Sequence, residues 1–392
     1  MTVEERPLTP LHCLRPAEFG PPRLTALPNG TPAWLMTRYH DVRSVLTDPR
    51  FGRATLFGPD APPLGPASNL EGDPGFITNI DGPEHRQLRS LMQQAFTPRA
   101  VAEWVPWLTS VVERLVENVV NHGPPADLVA SLTMPLPVEV ISRLMGVEDV
   151  DRHRLRHWTD HLFADRSCPV DEIRAVLAEF TSFAASLLDE RRRRPGADLV
   201  SRVVVAADRE GGISEERLIK LVCGLIAGGH ETTVATLGNS LVYLLGERPD
   251  AWPRLTTEDA AQTAADRLLH TIPLGEGLGA LRRSVREAVV GGVAIPAGAV
   301  VIVDRTSAAR DPEVFTTGLS DGLFEPLEAA TLAFGAGPHY CLGSWLARLE
   351  LRLALHRLAT RLPGLRLAEP VEAIEWRCVF STRSPRRLTV TW

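Results

Sequence analysis

A chain of 392 residues, 44% hydrophobic and 23% charged, can bury a large core and has room for one large unit or a few small ones. Its 42 basic and 48 acidic residues leave a net charge of -6, which argues against a general nucleic-acid binder. The five cysteines (Cys13, Cys168, Cys223, Cys341, Cys378) are scattered, odd in number and without Cys-x-x-Cys spacing, as suits reduced thiols in a cytosol.

Met1-Thr-Val-Glu-Glu-Arg-Pro7 carries acids early and no apolar stretch, so it reads as neither signal peptide nor anchor. No uninterrupted apolar run reaches the roughly 18 residues of a membrane span. The expectation is a cytoplasmic protein with no membrane association. Residues 1–40 are rich in proline and glycine, with Pro21-Pro22 and Pro28-Asn-Gly30 marking turns. Ala33-Trp-Leu-Met36 reads as a short strand, followed by a helix from Asp41 to Leu46. Phe57 to Ile80 holds five prolines and four glycines, and a structureless stretch of that length is uncommon unless it is functional.

Asp81-Gly-Pro-Glu-His85 opens a helix, with Pro83 suited to its first turn and Glu84 to its positive end. His85 and Arg89 are four apart and share a face. On composition alone this is a solvated basic face with Arg86 and Arg99. Residues 100–210 are largely helical, broken at Gly123-Pro-Pro125, Met134-Pro-Leu-Pro137 and Pro195-Gly196. The run Arg191–Arg194 reads as a solvated helix end, where cations suit the dipole.

A long central helix starts near Ser214 and runs to about Gly246. Leu218, Leu221, Val222, Leu225 and Ile226 fall at helical spacing, as do Leu237, Leu241, Leu244 and Leu245. Between these apolar halves lies Gly228-Gly-His-Glu-Thr-Thr233, a polar insertion in the middle of a buried helix. Buried polar groups cost free energy unless paired. The insertion therefore has a role, or its threonines bond back to i−4 carbonyls and bend the helix. A further helix ends at Ala264-Ala-Asp-Arg-Leu-Leu-His270, stopped by Pro273. Gly291 to Gly298, followed by Val300-Val-Ile-Val303, reads as a hairpin with strand-forming flanks.

Phe334-Gly-Ala-Gly-Pro-His-Tyr-Cys-Leu-Gly343 holds three glycines in ten positions, so its backbone can take positive φ and approach a flat object closely. Cys341 stands just before Ser344-Trp-Leu-Ala-Arg-Leu-Glu-Leu-Arg-Leu353, a helix by composition and spacing. The helix N-terminus favours its thiolate form. Three readings compete: a buried cysteine in a tight turn, a nucleophilic thiol, or an axial iron ligand.

The string Phe334, Gly335, Gly337, His339, Cys341, Gly343 resembles the haem-binding loop of the cytochrome P-450 family. The resemblance implies a mainly α fold with small β-sheets, a triangular α-rich single domain spanning 1–392, with the long central helix over the haem. It makes Cys341 the axial thiolate ligand of haem b, and His339 a cofactor-binding residue. His85 and Arg89 match the family's propionate-binding helix, a match that Phe96-Thr-Pro-Arg99 extends. Arg282 falls on the position of a second propionate-binding arginine, with Arg283 beside it as the alternative. Glu231 and Thr232 fall on the family's acid–alcohol pair, which delivers protons at the oxygen site. The matches continue through Ala308–Phe315 and a closing strand at Ser384–Trp392. Covalent c-type attachment is unlikely, since there is no Cys-x-x-Cys-His.

The implied activity is insertion of one oxygen atom from dioxygen into an apolar small molecule, as a tailoring step in natural-product (antibiotic) biosynthesis. Oxidative coupling or rearrangement on the same haem is a variant of that reading. The chain has no flavin or nucleotide fingerprint, so electrons are expected from a ferredoxin and its reductase. The donor would dock near Cys341 beside Arg348 and Arg352, on a monomer. In one respect the sequence departs from the family. The usual Glu-x-x-Arg is replaced by Arg267 and His270, and Glu328 stands near the position of the loop arginine that completes the motif. The reversed layout suggests an Arg267–Glu328 pair. The departure also raises the alternative of a non-catalytic relative that activates a partner enzyme such as a glycosyltransferase.

Overall fold

The computed structural model describes residues 19–64, 69–147, 152–163, 169–274, 280–379 and 382–392. Cys13 and Cys168, with parts of the stretches 57–80 and 160–185, lie outside the described residues. The central helix runs Glu215–Val242, 28 residues or about 42 Å. Ser214 caps it by accepting the Arg217 N–H, and Glu215 and Glu216 occupy its first turn. It widens into a π-turn at Tyr243–Glu247 before Pro249 ends any continuation. With that turn the helix is long and apolar enough to cross a bilayer, yet 61% of its apolar window is buried inside the protein. A helix apolar on most sides belongs to an interior. Helices Pro135–Met145, Arg152–Phe163 and Val170–Arg193 pack around it.

The helix Ser344–Arg361, which follows the Cys341 loop, packs against Val105–His122 and Glu258–Thr271. A five-stranded sheet orders Arg23–Ala26, Pro32–Met36, Val300–Val303, Ala280–Ser284 and Phe51–Gly52. Val300–Val303 is buried along its whole length, as expected of a strand paired on both edges. The expected hairpin turns at Gly291-Gly292, both at positive φ, between Ala288–Val290 and Val293–Ile295. Val300–Val303 leaves it for the larger sheet. The single closing strand expected at 384–392 is two strands. Thr382–Pro385 pairs with Trp376–Val379, while Thr389–Thr391 joins Ala126–Asp127 and Arg366–Leu367. The stretch 57–80 is less irregular than expected, with a helical turn at Asn69–Gly72 and a 3-10 turn at Ile77–Asn79. The arginine run at 191–194 is only partly solvated: Arg191 pairs with Asp198, and Arg192 ties to Glu215 at 2.6 Å.

The exchanged charges do meet. Arg267 is 2% exposed, and its Nη2 lies 3.0 Å from a Glu328 carboxylate oxygen. Its N–H groups also donate to the carbonyls of Glu325 (2.8 Å), Thr317 (3.3 Å) and Pro326 (2.6 Å). One guanidinium thereby fastens the helix Glu258–Thr271 to the segment leading to the Cys341 loop. Desolvation pushes the Glu328 carboxyl up. The N–H groups of Glu328 and Thr317 and the Arg267 charge outweigh it and hold the carboxyl below its ordinary range. His270 contacts the Thr331 hydroxyl at 3.1 Å, and burial pushes its pKa down to about 4, so it is neutral beside Arg267.

Arg267→Glu should cost about 3 to 5 kcal/mol in urea denaturation, because it sets two carboxylates in one cage of carbonyls. The triple change Arg267→Glu, His270→Arg, Glu328→Arg should recover more than half of that loss. His270 binds a proton on unfolding between pH 6.5 and about 4, so its contribution is complete above pH 6.5 and fades as pH falls toward 4. Replacing it with Gln should reduce the acid loss of stability over that window by about 3 kcal/mol, read from thermal melts against pH.

Candidate active site

The Cys341 loop is tied to itself and to its neighbours. Gly335 N–H donates to Leu332, Tyr340 N–H to Gly337, and Cys341 N–H back to Phe334, all within 3.0 Å. Gly335 and Gly337 both have positive φ. A Cβ at Gly337 would stand 2.5 Å from the Leu46 carbonyl, so this glycine serves the approach of protein backbone and not of a ligand. Cys341 lies two residues ahead of Gly343, the N-cap of Ser344–Arg361. Its side chain has open surface, yet burial raises its pKa above the ordinary thiol value. A group both open and enclosed by protein faces an internal space. The Gly343 N–H and the charges of Arg89, Arg305 and Arg348 pull the other way without overcoming burial. The helix terminus alone therefore does not make this sulfur a thiolate.

Around the loop stand the predicted cations. Arg89 donates to the Tyr340 carbonyl at 2.6 Å, one residue before the cysteine. His85 is 3% exposed, with its ring 4.3 Å from that of His339. Burial, His339 and Arg89 lower its pKa to about 4. His339 Nε2 sits 2.9 Å from Asp81, whose other oxygen accepts the N–H groups of Arg53 and Ala54. Arg282 and Arg283 point to opposite faces of one strand. Arg283 faces outward and donates to the carbonyls of Gly298 and Thr55. Arg282 is 5% exposed, and among the described residues it donates only to the carbonyl of Leu281. Burial, then repulsion from Arg53 and Arg305, pulls its pKa down to about 9.

On the central helix, Gly228 is exposed, while Gly224, Leu225, Gly229, Thr232 and Thr236 are partly open. Their spacing puts them on one face. A cleft thus reaches the middle of a helix whose residues 237–245, running into the π-turn, are all buried. Thr232 Oγ1 donates to the Gly228 carbonyl at 2.7 Å, and Thr233 and Thr236 make the same i−4 bond. The back-bonding and functional readings of this segment therefore coexist. Glu231 is turned away from the cleft and is 1% exposed. Arg377 Nη1 reaches its two oxygens at 2.8 and 2.9 Å, and the Thr382 hydroxyl donates at 2.8 Å. Arg377 also bonds Asp160, on the helix Arg152–Phe163. Burial pushes Glu231 up, and Arg377 pulls it back.

Residues 267–362 match the family profile described as cytochrome P-450. The chain is 41% identical over 372 residues to Nocardicin C N-oxygenase of Nocardia uniformis subsp. tsuyamanensis, covering 93% of this chain and 91% of that one. The chain belongs to the cytochrome P-450 family. The P-450 Mycinamicin IV hydroxylase/epoxidase of Micromonospora griseorubida is 36% identical over 93% of this chain and 91% of its own length. Among solved structures, the P-450 hydroxylase LnmA from the leinamycin pathway of Streptomyces atroolivaceus superposes with a TM-score of 0.86. It is 35% identical and covers 96% of this chain and 94% of that one.

As a P-450 the protein is a haem-thiolate monooxygenase with a mainly α fold and small sheets. The residues present fit such a group: a cysteine sulfur with open surface near the charges of Arg89, Arg305 and Arg348, and a buried Arg282 whose hydrogen bond goes to a backbone carbonyl. Asp81, Arg53, Arg305, Arg377 and Asp160 escaped the sequence reading. No local pattern marks them, since Arg377 is 146 residues from the acid it holds. Arg348, expected as a free docking cation, instead donates to Asp266 at 2.9 Å and lies over the Phe334 ring.

Among the described residues Arg282 is a buried charge without an ion pair, so Arg282→Met should raise the melting temperature of the haem-free protein. The same change should speed haem loss to apomyoglobin at least tenfold if a carboxylate of the cofactor is its partner.

Proposed function

We propose that this P-450 carries out a tailoring oxidation in antibiotic-type biosynthesis, inserting one oxygen atom from dioxygen into an apolar small molecule. The observation that carries this reading is the notch at Gly228–Thr232, where the central helix opens on a cleft beside the Thr232 hydroxyl, with the Glu231 carboxylate buried behind it. Relatives named for oxygenation in nocardicin, mycinamicin and leinamycin pathways support the setting. In this reading Cys341 would hold haem b through its sulfur, and Arg89, Arg282, His85 and His339 would hold its carboxylates, with Asp81 orienting His339. The haem, when bound, supplies the activation of dioxygen.

The chain's own residues manage protons and water. Thr232 Oγ1, spent on the Gly228 carbonyl at rest, can turn to hold a proton at the open face of the helix. Glu231 stands behind it, and Arg377 keeps its carboxylate out of the cleft until proton transfer requires it. Electrons come from a ferredoxin with its reductase, docking on the face beside Cys341, where Trp345 is 48% exposed. The protein acts as a monomer in the cytoplasm. Among the described residues the large exposed apolar side chains, such as Leu24, Val205 and Trp345, sit on separate elements, which suits that state. The non-catalytic reading rested on the missing Glu-x-x-Arg, and the Arg267–Glu328 pair removes that support.

A ferrous–CO difference spectrum of the purified protein tests the reading, with the thiolate-type band expected. Cys341→Ser should abolish that band, since an oxygen donor replaces sulfur. Thr232→Ala should keep the band but lower product formed per NADPH consumed, with the balance appearing as peroxide or water. An unchanged yield would assign Thr232 to packing.

A further inference from the structure

Lys220 is the one lysine in the chain, and none of the roles above uses it. It lies in the second turn of the central helix, with its side chain 20% exposed. Its Nζ reaches Glu216 at 2.9 Å, one turn back on its own helix, and Asp73 at 3.0 Å, 147 residues earlier. Burial opposes the ammonium charge, but the two carboxylates raise its pKa above the ordinary value and keep it charged.

Asp73 is built into the segment 69–80 from several sides. Its Oδ1 accepts the Gly75 N–H at 2.7 Å, and its carbonyl accepts Asn79 Nδ2 at 2.8 Å. Asn79 in turn accepts from Arg53. A Cβ at position 75 would stand 2.2 Å from Lys220 Nζ, so a side chain there would have to displace the lysine. Arg217 donates to Glu84 at 2.7 Å and to the Pro74 carbonyl at 3.4 Å. A Cβ at Gly224 would meet the buried Phe76 ring at 3.3 Å. Positions 217, 220 and 224 lie on one helix face, and all three grip residues 73–76.

That face continues in steps of four through Gly228 and Thr232, the notch itself. Phe76 therefore stands about 12 Å along the helix from Thr232. At its other end the segment packs, through Asn69–Gly72, against the helix Arg152–Phe163. Residues 69–80 thus bridge the central helix, which carries the notch, and the helix Arg152–Phe163. We propose that Lys220 is the latch of this bridge, and that the Lys220–Asp73 pair sets how readily bulky molecules enter the cleft. The inference rests on the reading of the cleft as the substrate pocket.

The sole lysine makes the latch measurable without a substrate. N-hydroxysuccinimidyl acetate acylates the α-amine and Lys220, and peptide mapping by mass separates the two. Asp73→Asn keeps an acceptor for the Gly75 N–H but removes the charge. It should speed Lys220 acetylation roughly three- to tenfold, in haem-free and haem-loaded protein alike. In the loaded protein, Asp73→Asn and Lys220→Met should speed association of 4-phenylimidazole by a similar factor. Imidazole itself, small enough to pass a closed bridge, should change less than twofold, and Lys220→Arg should restore slow entry. Acetylation at the parent rate in Asp73→Asn would overturn the latch. Faster acetylation with unchanged 4-phenylimidazole entry would overturn its control of the cleft. A protein that binds neither azole would remove the pocket reading, and the inference with it.

Discussion

The structure turns on two electrostatic needs that share one charged neighbour, Arg305. Cys341 sits where burial resists ionisation, although a backbone N–H and three guanidinium groups favour the thiolate. Arg282 is a buried cation on which the repulsion of Arg53 and Arg305 acts more strongly than the attraction of Asp81. A buried guanidinium without an ion pair would by itself cost several kcal/mol, while the cysteine alone would stay a neutral thiol. One group with a positive centre and anionic arms answers both, which is why a haem suits the site better than any reading of the cysteine alone. The loop glycines serve this arrangement indirectly, with Gly337 letting the loop close against the helix Tyr39–Thr47.

The central helix divides its work by geometry. Thr232 lies in line with Gly228 and Thr236, and Glu231 is turned about 100° around the helix from it, toward the buried side. Thr232 looks into the cleft, and Glu231 looks back into protein, where Arg377 holds it. Arg377 also holds Asp160, so the acid, the C-terminal hairpin and the helix Arg152–Phe163 form one buried charge network. The helix Arg152–Phe163 is thereby connected to the carboxylate beside the notch. The same helix carries Thr159, whose hydroxyl contacts His230, the residue just before the acid.

The Arg267–Glu328 pair shows what a charged motif is for in such a fold. A buried cation on one element and an acid on the other fasten helix to loop as well as the opposite arrangement, provided the leftover donors find acceptors. Here three carbonyls take them. His270 stays neutral, so no second charge competes for the same acid.

The central helix and its polar insertion, the strand at Val300–Val303 and the Cys341 loop were legible because each rests on local chemistry: periodicity, turn residues and a ten-residue string. The reversed charges at Arg267 and Glu328 were legible too, though only against the family's pattern. Other features were decided by tertiary structure alone. The split of the closing strand, the engagement of Arg348 by Asp266, the grip of Lys220 on Asp73 and the network around Glu231 each join residues far apart in the chain. A side chain's composition says what bond it can make, while burial and the approach of a distant element decide which bond it does make. That is why Arg282 and Arg283, neighbours of identical chemistry, were inseparable in sequence. Once the strand's two-residue alternation buried one guanidinium and left the other among carbonyls, they became different residues.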